Sequence, residues 1–104
     1  MLYYRRKILL ALLELFGGQL SAKQIQKYLF LFCKQQTTKA FYFVPYYYGC
    51  FSFQAQQDIY TLSTYGYLTN QSTESGDIVT LKEQNKHYIS NLDIFDQHIL
   101  YNIK

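Results

Sequence analysis

The stretch Phe43-Val-Pro-Tyr-Tyr-Tyr-Gly-Cys-Phe-Ser-Phe-Gln-Ala-Gln-Gln-Asp58 constrains the fold more than any other part of the chain. It holds the only proline. Pro45 lacks a backbone N–H and biases Val44 away from helix, so Lys39 to Phe51 reads as extended and irregular. Gly49 supplies a turn. Ser52 is an N-cap for a helix through Tyr65, with Phe53, Ile59 and Leu62 on its buried face and Gln54, Gln57 and Ser63 on its exposed one. Neighbouring side chains of an extended segment point to opposite sides, so Tyr42, Tyr46, Tyr47 and Tyr48 cannot all face inwards.

Upstream, Ile8, Leu9, Leu12, Leu13 and Phe16 form an apolar stripe on a helix spanning about Tyr3 to Phe16, which Gly17-Gly18 stops. Gln19 and Leu20 form a link. Ser21-Ala-Lys-Gln24 fits a capping box, opening a second helix to about Gln36. That helix buries Ile25, Leu29 and Phe32, keeps Tyr28 at its margin and carries Lys23, Lys27 and Lys34 on its polar side. After Gly66, Tyr67-Leu-Thr-Asn70 and Ile78-Val-Thr-Leu81 alternate as half-buried strands do. The polar stretch Gln71 to Asp77 between them predicts a loop of about seven residues, the shape of a wing. A last helix is expected from near Lys82 through Ile89, Leu92 and Phe95 towards Leu100, with a break at Asn91-Leu-Asp93. Helices feeding a β-hairpin in 104 residues indicate one winged-helix-like α+β domain, mostly helical: three helices, a hairpin wing and a C-terminal helix.

With 49% hydrophobic and 16% charged residues, the chain can build a core and is not a disordered polymer. Ile8 to Leu13 is far too short to span a membrane, and Arg5, Arg6 and Lys7 precede an amphipathic run broken by Glu14 rather than a secretory core. The expected location is therefore the cytoplasm, with no membrane partner. Cys33 and Cys50 form no CxxC pair and have no histidine at ligand spacing, so they are expected to be reduced, small apolar residues, with no metal and no cofactor.

Catalysis finds no support. His87 and His98 lie late in the chain, Cys50 has no base at recognisable spacing, and Asp58, Glu74, Asp77, Glu83, Asp93 and Asp96 form no metal motif. Asp58, like the others, is expected to be solvated or a cap. Nucleic-acid binding is chemically feasible. The helix before a wing often enters the major groove, and Gln54, Gln56, Gln57, Ser63 and Thr64 could face bases. That helix has no cation, so phosphate contact would fall to Arg5, Arg6, Lys7, Lys23, Lys27, Lys82 or Lys86. The net charge of +3 permits such binding without arguing for it. About fifteen residues, from Thr37 to Phe51, separate helices that a helix-turn-helix joins by about three or four. Protein binding is favoured instead, because aromatics make up 19% of the chain and a tyrosine cluster flanks the proline.

The pattern Leu20-x4-Ile25-Gln-Lys-Tyr-Leu-Phe30, then Tyr48-Gly-Cys-Phe-Ser52, then Leu62-x3-Gly66-Tyr-Leu68 resembles the Panacea group. This group includes the SocA-like antitoxins and domains once called phage-associated proteins. Its helix reads like LQKLLYF and its turn like YGP before a helix. The similarity covers about residues 8 to 70, and its motifs are short and mostly structural. Cys50 stands where the group usually has proline, and Pro45 comes earlier. The resemblance implies a helical, winged-helix-like domain of bacterial toxin–antitoxin or phage-defence systems, whose members neutralise toxins or link them to other proteins. It supplies no catalytic residues. The chain is also similar to N-terminal regions of longer bacterial proteins, which implies a second domain or subunit as partner.

The expected function is a non-enzymatic binding module that meets a protein partner (a toxin, or a second subunit or domain) through Tyr42, Tyr46, Tyr47 and Tyr48. The alternative is a winged-helix DNA-binding regulator using Gln54, Gln57, Ser63, Arg5, Arg6, Lys23 and Lys27. Either is compatible with a homo-oligomer.

Overall fold

The run from Ile8 to Leu13 is apolar on every side of a helix, and the molecule is arranged around it. In the computed structural model, which describes residues 3–47, 49–83 and 87–104, α1 (Tyr4–Leu15) buries Ile8, Leu9, Leu10, Ala11, Leu12, Leu13 and Leu15. A single stripe is expected from the sequence. The structure corrects this to a helix buried all round, because the C-terminal segment covers the side that a three-helix arrangement would leave wet. Phe16, expected in that stripe, is only partly buried and stacks on Tyr28 at 4.4 Å.

Beyond α1 the chain forms β1 (Gln19–Ser21), α2 (Ala22–Lys34), β2 (Val44–Tyr46), β3 (Gly49–Phe51), α3 (Phe53–Thr64), β4 (Leu68–Thr73), β5 (Gly76–Leu81) and α4 (Ile94–Ile103). About half the chain is helical, making a small α+β domain. The capping box forms as expected: Gln24 N–H donates to Ser21 Oγ at 3.1 Å, and Ser21 N–H donates to Gln24 Oε1 at 3.0 Å. On α2, Ile25, Leu29 and Phe32 are buried as expected, and Gln26 and Cys33 join them. Gln19 and Leu20 are not merely a link. They enter a three-stranded antiparallel sheet of order β1-β5-β4, with Leu20 opposite Val79 and both side chains buried.

The β4–β5 hairpin is longer and its loop shorter than expected. Thr73 pairs with Gly76, so only Glu74 and Ser75 lie between the strands. Gly76 has φ +118°, which lets the chain leave this tight turn on a twisted strand. Leu68 is the one buried residue of β4, whose remainder is polar and exposed, as suits an edge strand.

The last helix also starts later than expected. A short 3-10 turn, Ile89–Asn91, precedes α4. Its start is held by Glu14, whose carboxylate accepts the N–H groups of Tyr88 (2.5 Å) and Ile89 (2.9 Å). Leu92 is extended, and Asp93 re-caps the chain by accepting the Asp96 N–H at 2.9 Å. The break expected at Asn91-Leu-Asp93 is thus present, while residues 84–86 of the expected helix lie outside the described residues. Phe95, expected on its apolar stripe, is exposed.

Tyr4 ties α1 to α4 and to the segment just after α2. Its hydroxyl donates to Asp96 at 2.5 Å and accepts from Gln36 at 3.0 Å. Burial, followed by the Asp96 carboxylate, pushes this phenol above the ordinary tyrosine range. The stabilisation is therefore complete below the unfolded tyrosine pKa of about 10. Above that pH the unfolded chain releases a proton that the folded one keeps, so stability falls as pH rises. Tyr4→Phe is expected to cost about 1 kcal/mol at neutral pH. It should also flatten the decline in melting temperature above about pH 10. An alkaline decline as steep in the variant as in the parent would refute this linkage.

Candidate functional site

An isolated two-stranded ribbon is marginal in water. The ribbon of β2 and β3 pairs Val44 with Phe51 and Tyr46 with Gly49, in a segment expected to be irregular. The segment is extended as expected, but it is a regular ribbon because both of its feet are pinned from outside it. Before β2, Phe41 is fully buried, and Phe43 meets Phe30 edge-on at 5.4 Å. The Tyr42 N–H donates to Gln54 Oε1 at 2.8 Å. After β3, Gln26 grips the backbone of the buried Ser52: Ser52 N–H donates to Oε1 at 2.8 Å and Nε2 donates to the Ser52 carbonyl at 3.0 Å. The Ser52 hydroxyl then accepts the Ala55 N–H at 3.2 Å and caps α3 as expected. Gly49, with φ +126°, closes the ribbon as Gly76 closes the β4–β5 hairpin.

The stem is fixed and the tip faces water. Tyr47 is 84% exposed, Tyr42 73%, Phe53 54% and Tyr46 50%. Phe53 is thus the reverse of the expected core residue. Its ring lies 5.7 Å from Tyr46 and 4.9 Å from Phe51, and Tyr46 also meets Tyr47 at 4.8 Å. The result is an aromatic cluster standing on the surface rather than in the core. Tyr48 lies outside the described residues.

Below the ribbon runs an open groove of about 630 Å³. Lys23, Lys27 and Phe30 of α2 form one wall, Tyr46 and Phe51 of the ribbon the other, and Ile59 of α3 closes it beneath. Cys50, expected to serve as a small apolar residue, is exposed on this groove, whereas Cys33 is buried. Burial pushes the Cys33 thiol up, which keeps it protonated and unreactive. Among the described residues that line the groove, none is a histidine or a carboxylate.

The residues of the DNA reading are dispersed. Gln57 is exposed, while Gln54 and Ser63 are half-buried, contrary to expectation. Lys23 and Lys27 sit on the groove. Arg5 and Arg6 point instead to Asp58, which is fully buried and not solvated. Arg5 donates through Nε and, at 3.0 Å, through Nη2, and Arg6 donates through Nε at 3.2 Å. The reason is geometric, since Asp58 falls on the α3 face that carries Ala55, Ile59 and Leu62. A carboxylate buried there needs cations, and the first turns of α1 supply them. Gln26 does not stand out from the sequence as a structural clamp. Its detectable signal is a small or apolar row Ala22, Leu29, Cys33 on α2 that a glutamine interrupts.

Among the described residues, no three His, Cys, Asp or Glu side chains gather as metal ligands, and no helix is long and apolar enough to cross a membrane. Comparison of the chain with protein-family models, curated proteins and solved structures finds no match.

Proposed function

We propose that this domain is a non-enzymatic binding module that engages a protein partner through the aromatic tip of the β2–β3 ribbon and the groove beneath it. The observation that carries this reading is the pinned ribbon. Tyr46, Tyr47 and Phe53 are held in place yet turned to water, so an interface forms there at little cost in side-chain ordering. Large, preordered aromatic rings are the residues that dominate protein interfaces. The resemblance of its motifs to Panacea-type domains supports an antitoxin-like role in a bacterial toxin–antitoxin or phage-defence system, with a toxin, a second domain or a second subunit as partner. The winged-helix reading draws support from the wiring. A helix, a strand, two helices separated by the β2–β3 ribbon, and a hairpin come in order, and β1 closes on β5.

One observation keeps a second reading in view. The exposed Gln56 and Gln57 on α3 precede the wing as reading residues of a DNA-binding winged helix would. Against it, α3 has no cation, and Arg5 and Arg6 are engaged by Asp58.

Titration with random-sequence duplex at low and high salt separates the two. The protein reading expects no duplex binding at low salt, together with a co-purifying partner that is lost on Tyr46→Ser/Tyr47→Ser. Tight duplex binding that collapses with salt, unaffected by those substitutions, would favour DNA instead.

A further inference from the structure

Phe30 borders more than the groove. Its ring also lines a second hollow, of about 250 Å³, whose walls include Lys34, Lys39, Phe41 and Tyr42. The two hollows follow each other along α2 as a channel interrupted by the Phe30 ring that both share. Lys23, Lys27, Phe30 and Lys34 are spaced so that they fall in a single narrow stripe of that helix. Lys39, just beyond the helix, donates to the Cys33 carbonyl at 3.0 Å and so stands at the channel's far end. Four lysines therefore line the channel, and among the described residues no carboxylate does. The Lys27 ammonium lies 5.9 Å from the Tyr28 ring and that of Lys34 5.8 Å from Phe30. Contacts of this kind at exposed sites are weak, so the Lys27 and Lys34 charges can turn to an incoming anion.

We propose that this channel takes an acidic segment of the partner protein, bound in extended form, with carboxylates on the lysine stripe and apolar side chains in the two hollows. Length fits this occupant. Lys23 to Lys34 spans about 16 Å at the helical rise, the reach of about five extended residues. The chemistry of the walls favours a peptide over a single nucleic-acid strand. The clustered rings pack on one another, Phe53 meeting Tyr46 at 85° and Phe51 at 69° while Tyr46 and Phe51, tilted by 32° at 5.0 Å, cover each other, so bases would have to displace ring–ring contacts in order to stack. Neither hollow is lined by arginine.

The acidic occupant rests on the protein-partner reading and fails separately from it. The probes are fluorescein-labelled peptides of about ten residues, long enough to fill the channel, one alternating Glu with Leu and Phe, the other with Lys replacing Glu. A labelled oligothymidylate is the third probe. Anisotropy is expected to show that only the acidic peptide binds the parent protein. Its affinity should fall about tenfold or more on K27E/K34E and again at high salt, while the lysine peptide gains affinity for that variant. K27Q/K34Q, milder at these exposed positions, should show the intermediate loss, with melting curves confirming that both variants fold. Failure of the acidic peptide to bind, or equal binding to parent and K27E/K34E, overturns the channel's proposed occupant. So does tighter binding of the oligothymidylate. If the aromatic-dependent partner persists through that failure, the protein reading survives alone.

Discussion

Asp58→Ala is expected to lower the unfolding free energy by about 3 kcal/mol, the lower end of the range for removing one member of a buried ion pair. The carboxylate is fully buried and accepts hydrogen bonds from both arginines. Without it, two guanidinium groups face each other at the N-terminal end of α1, where the helix dipole already disfavours positive charge. The magnitude stays near the lower end because the Arg5 side chain is 32% exposed and can turn to water, whereas Arg6 at 14% is more confined. The opposite deletion is therefore worse. Arg5→Met/Arg6→Met strands a carboxylate with no exposure and should cost about 3–5 kcal/mol. Combining both changes with Asp58→Leu should recover most of the loss, since apolar residues of similar volume often replace a buried ion cluster without harm. Urea denaturation of the four proteins checks this. A double arginine variant as stable as the parent would show that the cluster contributes nothing.

The same cluster bears on function. If Arg5 and Arg6 were phosphate contacts, Arg6→Met would weaken duplex binding and leave stability unchanged. The geometry leads to the reverse order of effects: stability falls, and any duplex binding is limited by other cations.

What the sequence makes legible is local. The Ser21-to-Gln24 capping box, the Ser52 cap and the period-two alternation of Ile78 to Leu81 each depend on residues a few positions apart, and each forms as read. What it conceals depends on distant partners. Pro45 and the tyrosines after it look irregular, because the ribbon to which Pro45 and Tyr46 belong is held by Phe41 in the core and by Gln26 from another helix. Phe53 looks like a core residue by type and spacing, yet Tyr46 and Phe51 draw its ring to the surface cluster. Asp58 was within reach of the sequence. Its spacing from Ala55 and Leu62 places it on the buried face, and a buried carboxylate requires a cation. The identity of that cation was not, since it comes from a helix more than fifty residues earlier in the chain. The channel along α2 shows a similar division. Its lysine stripe comes from helical spacing, but the wall facing it exists only once the ribbon has docked.

Gln26→Met is expected to undock that ribbon. The substitution keeps side-chain volume while removing both hydrogen bonds to Ser52, made at 2.8 and 3.0 Å. The two losses are unequal. The Ser52 carbonyl also accepts from the Gln56 N–H at 3.3 Å and so retains a partner, but the Ser52 N–H is left buried with no replacement. An orphaned buried donor costs about 1–3 kcal/mol, so a global loss of about 2 kcal/mol is expected. Gln26→Glu should be at least as harmful. Its carboxylate can accept from Ser52 N–H but cannot donate to the carbonyl, and it places a charge where only 8% of the residue is exposed. The distinguishing measurement is local. Amide exchange in residues 42–52 should accelerate far more than in α1 or β5, because only the ribbon depends on this clamp for its second foot. Protection of those amides equal to the parent's would mean that the ribbon stands on Phe41 and Phe43 alone. If the channel binds as proposed, the acidic peptide should also lose affinity for Gln26→Met, although no lysine has changed. The wall that confines the peptide against α2 is then no longer fixed in place.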